Sequence, residues 1–433
     1  MFETHDQFAT RMTFPRSGKG SWRSLAVLSL AMSLLAGCAD PYGQSRPPSA
    51  AVQRGAVRDV AFVAASVGGV ITLIDVESLK VVGNLNVVPD GTKVSASRDW
   101  IQSWIGQPLM ERGGKNYAQD VEISPDGQVV YVSRGHLGDV AAFGLATGGL
   151  LWRLPVGGFR SDHMTLSADG SRLYVSALTA NKVTVIDTAR GEVAGSFPTG
   201  NWPHDNQVSR DGKRVFNASI GNIAHSREWR SDRSALTELA FGKSYRLTMA
   251  DTATLKVLQS YPFPAGIRPW RLSLDESRIY AQLSDYHGVV EYDLATARII
   301  RRLDLPIKAG VTSADWDFEA PHHGHDMTPD GKTLCAAGRA SDYVAFISTE
   351  TLRPLGVVGV GDAPGWAAIT PDSRYCLVAN TRSDDVSVVS IAEQKEVARL
   401  RAGRGPKHIR MGRVPADTLA AFAARQPAQA QAR

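Results

Sequence analysis

Short hydrophobic runs separated by polar turns recur along most of this chain, and they recur as sets. One set leads from a Ser-Ala-Asp-Gly turn at 167–170 into Arg172–Val175 (RLYV), through a polar loop into Val183–Asp187 (VTVID), and on to Val193–Phe197. Runs of aliphatic, aromatic and β-branched residues bounded by Gly, Asn, Asp and Ser read as strands. Ser/Thr-X-Asp turns introduce such a set six times, with aspartates at 126, 169, 211, 275, 330 and 372, a spacing of 43, 42, 64, 55 and 42 residues. Self-similarity at this period, with this strand grammar, predicts an all-β fold: a β-propeller.

The innermost strands of these units begin near Asp120, His163, Asp205, Trp270, Asp326 and Trp366. Two pieces remain. Residues 58–88 supply three outer strands without an inner one, and Ile409–Val414 (IRMGRV) reads as an inner strand alone. Joined, they make a seventh blade. The ring is therefore expected to close with strands from both termini, which leaves no open sheet edge. The seven-bladed propeller is expected over 56–414, and 415–433 as a mostly disordered tail that begins with a frayed helix.

Units such as SADGSRLYVSALTANKVTVIDTARGEVAGSFPTG resemble the YVTN repeat of the YncE-like bacterial propellers, and the resemblance covers essentially the whole domain. It implies the fold and leaves function open, because such propellers serve as binding modules, assembly proteins and enzymes. A more distant resemblance, to the cytochrome d1 propeller, carries no motif beyond the repeats. No CxxCH pattern is present, which excludes covalent c-type haem, and no P-loop or dinucleotide fingerprint points to a nucleotide.

Charge narrows the partners. The formal net charge is +5, and residues 1–37 carry four basic and two acidic residues, leaving 44 basic against 41 acidic. A near-neutral domain has no global attraction for nucleic acid, so the DNA binding linked to some YncE-like members finds no support here. The first 37 residues read as a lipoprotein signal peptide. Arg16, Lys19 and Arg23 precede an apolar stretch, Leu25 to Leu35, too short to span a bilayer. Leu35-Ala36-Gly37-Cys38 resembles the bacterial lipobox, which makes Cys38 the lipidation site and 38–55 a polar, proline-rich tether. A membrane-anchored protein of the cell envelope is expected, facing the periplasm or the exterior. Cys335 and Cys376 sit one step out of phase in the second strands of consecutive units, so facing blades could pair them as a disulfide or bury them as free thiols.

In a propeller, the loops joining one blade to the next emerge on the same face as those joining the second and third strands. Histidines 136, 163, 204, 225, 287, 322, 323, 325 and 408 all fall in such loops, here called upper. The long insertions at 89–117, 222–245 and 307–321 are upper loops too, whereas the Ser/Thr-X-Asp turns form a short, regular lower face. Seven tryptophans (100, 104, 202, 229, 270, 316 and 366) lie in or beside the upper loops, which suggests stacking surfaces next to imidazoles. Elaboration of one face marks the functional side.

The residues just before each inner strand converge at the axis. They include Asp120, Asp162, His163, His204, Asp205, Arg268, Trp270, His323, His325, Asp326, Trp366 and His408. In one reading, His163, His204 and His323 or His325, with an aspartate, hold zinc, manganese or iron. In a second, Asp–His pairs act as acid and base without a metal. In a third, the same residues only hydrogen-bond loops and pack blades together, which is favoured singly for His136, His225 and His287. Arg268 and Lys407 at the mouth could receive an anion or pair with Asp205 and Asp326. The expected function is binding of a small-molecule or saccharide ligand at this axial pocket, with a divalent metal as candidate cofactor. The alternatives are a lyase or hydrolase of lactones or saccharides at the same pocket, and a scaffold for envelope proteins.

Overall fold

The computed structural model describes residues 56–92, 115–158, 160–221 and 244–427. They form seven four-stranded antiparallel sheets, each with its inner strand beside the axis. Blade 1 joins Pro406–Pro415 to Val57–Ala65, Val70–Asp75 and Lys80–Asn86. Blades 2 to 7 then follow in chain order, with inner strands Asp120–Ile123, Ser161–Leu166, Pro203–Val208, Ile267–Leu272, His325–Met327 and Pro364–Ile369. Closure is the expected one: Pro406–Pro415 pairs antiparallel with Val57–Ala65, from Val57 opposite Pro415 to Ala65 opposite Pro406.

Burial explains why the hydrophobic runs differ across a blade. The second strand is covered on both faces by neighbouring blades, so Arg172–Ala177 (RLYVSA) is buried at every position after the first. The outermost strand meets solvent on one side, and Lys395–Arg401 (KEVARLR) alternates exposed and half-buried residues. All six Ser/Thr-X-Asp turns share one hydrogen-bond pattern. In each, the hydroxyl donates to the aspartate, as Ser167 does to Asp169 at 2.6 Å, and the same carboxylate accepts a backbone N–H two residues on, Ser171 at 3.0 Å. The residue after each aspartate takes a left-handed conformation, filled by glycine at 127, 170, 212 and 331 but by Glu276 and Ser373 in the other two.

Past the closing strand, Ala416–Ala424 forms a helix, α1, that is docked rather than frayed. Its Leu419 and Phe422 enter the hydrophobic cluster of Val60, Phe62, Leu85 and Phe143 that joins blades 1 and 2. Gln128 of the neighbouring lower turn donates to Thr418 at 2.8 Å, so the helix fastens the two ends of the ring. Cys335 and Cys376 are bonded to each other between blades 6 and 7, with a Cα–Cα distance of 6.6 Å, among Ala337, Phe346 and Val378. Residues 1–55, Cys38 included, and most of the insertions at 89–117 and 222–245 lie outside the described residues, as do His225, Trp100, Trp104 and Trp229. No described helix is long and apolar enough to cross a membrane.

Candidate functional site

The axial channel is divided in two. The upper chamber, about 270 Å³, is lined by Gln119, Asp162, His204, Arg268, His323 and Lys407 among others. The lower chamber, about 520 Å³, is lined by Asp205, Gln207, Arg271, Asp326, Trp366 and Arg410 among others, and runs toward the Ser/Thr-X-Asp turns. A partition of fully buried rings separates them. In it Trp366 lies 3.9 Å from His408 and 5.0 Å from His163 between ring centroids, and His204 meets His163 edge-on at 4.5 Å.

His163 is the hinge of this arrangement. Its Nδ1 lies 3.2 Å from Asp120 Oδ2, while Nε2 lies 3.7 Å from Asp162 Oδ1. Burial opposes protonation of the ring, but the Asp120 bond and the charges of Asp162 and Asp120 carry its pKa above the ordinary histidine value. His408 Nδ1 sits 2.7 Å from the other oxygen of Asp120, and there burial wins, pushing the pKa down to about 3. Asp120 is itself held well below the carboxylate range by His408 and His163 despite full burial. His204 and His323 are driven well below the usual value by burial, with His163 or Arg268 adding to the effect.

Two groups of side chains place one ligand atom each within 4.8 Å of one another: Asp162, His163 and His204 at the floor of the upper chamber, and Asp120, His163 and His408 in the partition. A neutral His163 donating from Nδ1 to Asp120 would present Nε2 upward, the arrangement that orients metal-binding imidazoles. His204 Nδ1 is buried without a hydrogen-bond partner. The chemistry of this set fits a divalent metal. One side chain competes for the position, however. Gln119 Nε2 lies 2.6 Å from Asp162 Oδ1 and 3.2 Å from His163 Nε2, so an amide already points at two acceptors that a cation would use. Its Oε1 accepts from Asn116 at 2.5 Å and Arg160 at 2.8 Å, which fixes the orientation of the amide.

Several axial residues do other work. His325 joins neither metal group. Gly324 between it and His323 has φ 95°, which turns the chain so that the two rings diverge, and His325 is buried near Arg271, its pKa pushed to about 3 chiefly by burial. A Cβ on Gly324 would lie 2.4 Å from Trp366 Cα, so only glycine lets these segments approach. His323 lines the chamber, but its Nδ1 lies 2.9 Å from the Gly365 carbonyl and it too stands outside the metal groups. Asp120 and Asp326 both clip adjacent blades, accepting from the backbone N–H of Met164 at 2.8 Å and of Ile369 at 2.9 Å.

Among the described residues, the axial tryptophans do not form a stacking platform. Trp202, Trp270 and Trp366 are among the largest fully buried side chains, and Trp270 packs against Phe216, 6.1 Å away, in the core between blades 4 and 5. Arg268 does face the chamber, where it donates to Ser284 at 2.9 Å and to the Phe318 carbonyl. His136, set aside as structural, also lines the chamber. His287 instead pairs edge-on with His322 at 4.5 Å and reaches Ser341 at 3.0 Å, a separate cluster. The anticipated pairing of Asp205 and Asp326 with mouth cations takes a different form: Arg271 reaches Asp326 at 2.8 Å and Asp205 at 3.9 Å, and Arg410 reaches Glu122 at 2.6 Å, all in the lower half. Sequence reasoning had missed Arg160 and Arg339 in the upper chamber. Their only signal is position, Arg160 just before an inner strand and Arg339 just after Gly338 at the end of a second strand.

No family model matches the chain. Over 279 residues it is 23% identical to a seven-bladed β-propeller protein of Mycobacterium tuberculosis, Rv1057, a match covering 59% of this chain and 66% of that protein's length. Among solved structures it is similar to hydrazine synthase of Kuenenia stuttgartiensis, with a TM-score of 0.57, 19% identity, and coverage of 76% of this chain and 92% of that one. The latter likeness is one of fold alone.

Proposed function

We propose that this seven-bladed propeller is a YncE-like lipoprotein of the cell envelope, anchored through Cys38, that binds a small ligand in its upper axial chamber. The Asp162–His163–His204 group beneath the chamber is the candidate site for zinc, manganese or iron. The observation that carries this reading is the convergence of one carboxylate and two imidazoles, from two different blades, at the floor of the upper chamber. Bound there, a metal would supply a Lewis acid facing the ligand. Asp120 orients His163, and Gln119 must swing away from Asp162 for the group to close on an ion.

Two alternatives are less well supported. His163 of the Asp120–His163 pair is fully buried and lines neither chamber, so it is poorly placed to exchange protons with a substrate directly. A scaffold would display one broad apolar patch. The exposed large hydrophobics instead come largely from the outer strands of different blades, such as Leu151, Val193, Leu258, Ile300, Leu355 and Val397.

Elemental analysis of the purified protein beside its His163→Ala/His204→Ala variant tests the metal. About one equivalent of a transition metal in the parent, lost from a variant with unchanged circular dichroism, is expected. An absence of metal from the parent after dialysis against zinc, manganese and iron(II) salts would remove the metal from the proposal.

A further inference from the structure

The upper chamber carries a charge pattern that a metal site does not account for. Among the described residues lining it, Lys115, Arg160, Arg268, Arg339, Arg404 and Lys407 face only Asp162, Asp317 and Asp384. Those three carboxylates are already engaged. Asp162 accepts from Gln119 at 2.6 Å and lies 3.7 Å from Arg160. Asp317 is gripped by Arg339 at 3.1 Å and Arg382 at 2.9 Å, and Asp384 accepts from the Gly405 N–H at 2.7 Å.

Lys407 has no such engagement. It stands at the start of the closing strand with its side chain on the chamber, and it makes no hydrogen bond or ion pair with any described residue. Around it, Arg160 and Arg339 are held in place by Gln119 at 2.8 Å and Thr381 at 3.3 Å, respectively. Burial, with Arg160 adding to it, lowers the Lys407 amine to about 7, so without a partner it is only part-charged. An unpaired amine in a concave site, beside guanidiniums already oriented, is an arrangement that an oxyanion completes. Val67, Leu178, Ile220 and Phe318 add apolar wall. The volume of about 270 Å³ lies just below the usual range for ligand pockets, which restricts the occupant to a small molecule.

The geometry points to a small organic oxyanion, a carboxylate or phosphate ester with a short apolar body, as the ligand of the upper chamber, with Lys407 as its charge partner. This rests on the upper chamber being the ligand site, but not on a metal being bound there.

The test is thermal unfolding of the metal-free protein at matched ionic strength in chloride, with succinate, inorganic phosphate or neutral erythritol as probe. Succinate or phosphate should raise the melting temperature by about 2 °C or more at saturation, and erythritol should not. Lys407→Met should lose that response while melting no lower than the parent without probe, and Lys407→Arg, which keeps the charge, should retain it. A response to succinate alone would assign the carboxylate class, and one to phosphate alone the phosphate class. No response to either anion, or an undiminished response in Lys407→Met, would overturn the inference. Metal content separates the two ideas: an anion response in protein that takes up no metal removes only the metal, and metal uptake without an anion response removes only the oxyanion.

Discussion

The two halves of the axial channel are built from the same seven strand positions, yet they are finished differently. In the lower half cations meet acids: Arg410 reaches Glu122 at 2.6 Å, and Arg271 bridges Asp326 at 2.8 Å and Asp205 at 3.9 Å. In the upper half Lys407 makes no hydrogen bond or ion pair with a described residue, Asp162 acting on it only from farther off, and His204 keeps a buried nitrogen without a partner. Buried atoms without a hydrogen-bond partner occur in the lower half too, at Asp205 Oδ2 and both ring nitrogens of His325, so the difference lies in the cations: those below are paired with acids, and Lys407 above is not. Charged residues at a propeller axis are thus weak pointers to function, and uncompensated ones are stronger.

The comparison depends on the partition, and the largest expected effect is on that. Gly324→Ala adds a Cβ 2.4 Å from Trp366 Cα at a φ of 95°. Backbone strain and overpacking together should destabilise the protein by about 3 kcal/mol. Chemical denaturation, followed by circular dichroism, checks the loss. An unchanged midpoint would mean that the partition yields easily and the two chambers are not distinct.

Next comes the contrast between paired and unpaired cations. Arg410→Met leaves Glu122 buried beside Asp120 without its cation. Burial has already pushed the Glu122 carboxyl to about 8 in spite of Arg410, with Asp120 among the charges that raise it further, so protonation absorbs part of the damage. Because Arg410 is also 30% exposed, a cost of about 2 kcal/mol is expected rather than the larger values of fully buried pairs. Lys407→Met should carry no such cost. Equal losses from the two variants, measured by urea unfolding at pH 7, would erase the distinction between the halves.

The smallest effect tests whether the whole upper face is uncompensated. Asp90, at the upper rim, is gripped by Arg134 at 2.6 Å and by Arg153. Burial opposes ionisation there, but the two arginines hold the pKa at about 2, against 3.8 ordinarily. A depressed acid contributes stability above its unfolded pKa and loses it as pH falls through the folded one. Asp90→Asn should therefore cost about 1–2 kcal/mol at neutral pH, with the difference from the parent shrinking between pH 4 and pH 2. A difference that persists unchanged at pH 2 would show that shape, not charge, matters at Asp90.

Much of this molecule is local. The hydroxyl–aspartate turns, the doubly buried second strands and the alternating outer strands each follow from a few adjacent residues, so blade number, the upper face and the closing of the ring by Pro406–Pro415 were legible in the chain. Convergence of histidines and aspartates at the axis was legible as well, because every inner strand starts there. Which of them meet was not. His163 and His204 are 41 residues apart in sequence and touch only because blades 3 and 4 pack together, and His325 misses them because Gly324 turns the chain. Trp270 and Trp366 look alike in sequence and both enter an interblade core, but packing also sets Trp366 against His408 and His163 in the partition. Helix α1 reads as the frayed start of a disordered tail until Leu419 and Phe422 find the blade 1–blade 2 interface. The chain by itself determined strands and turns because their energetics lie within a few residues. Only the tertiary structure decided the site, because side-chain direction and the balance of charge at the axis are set by neighbouring blades.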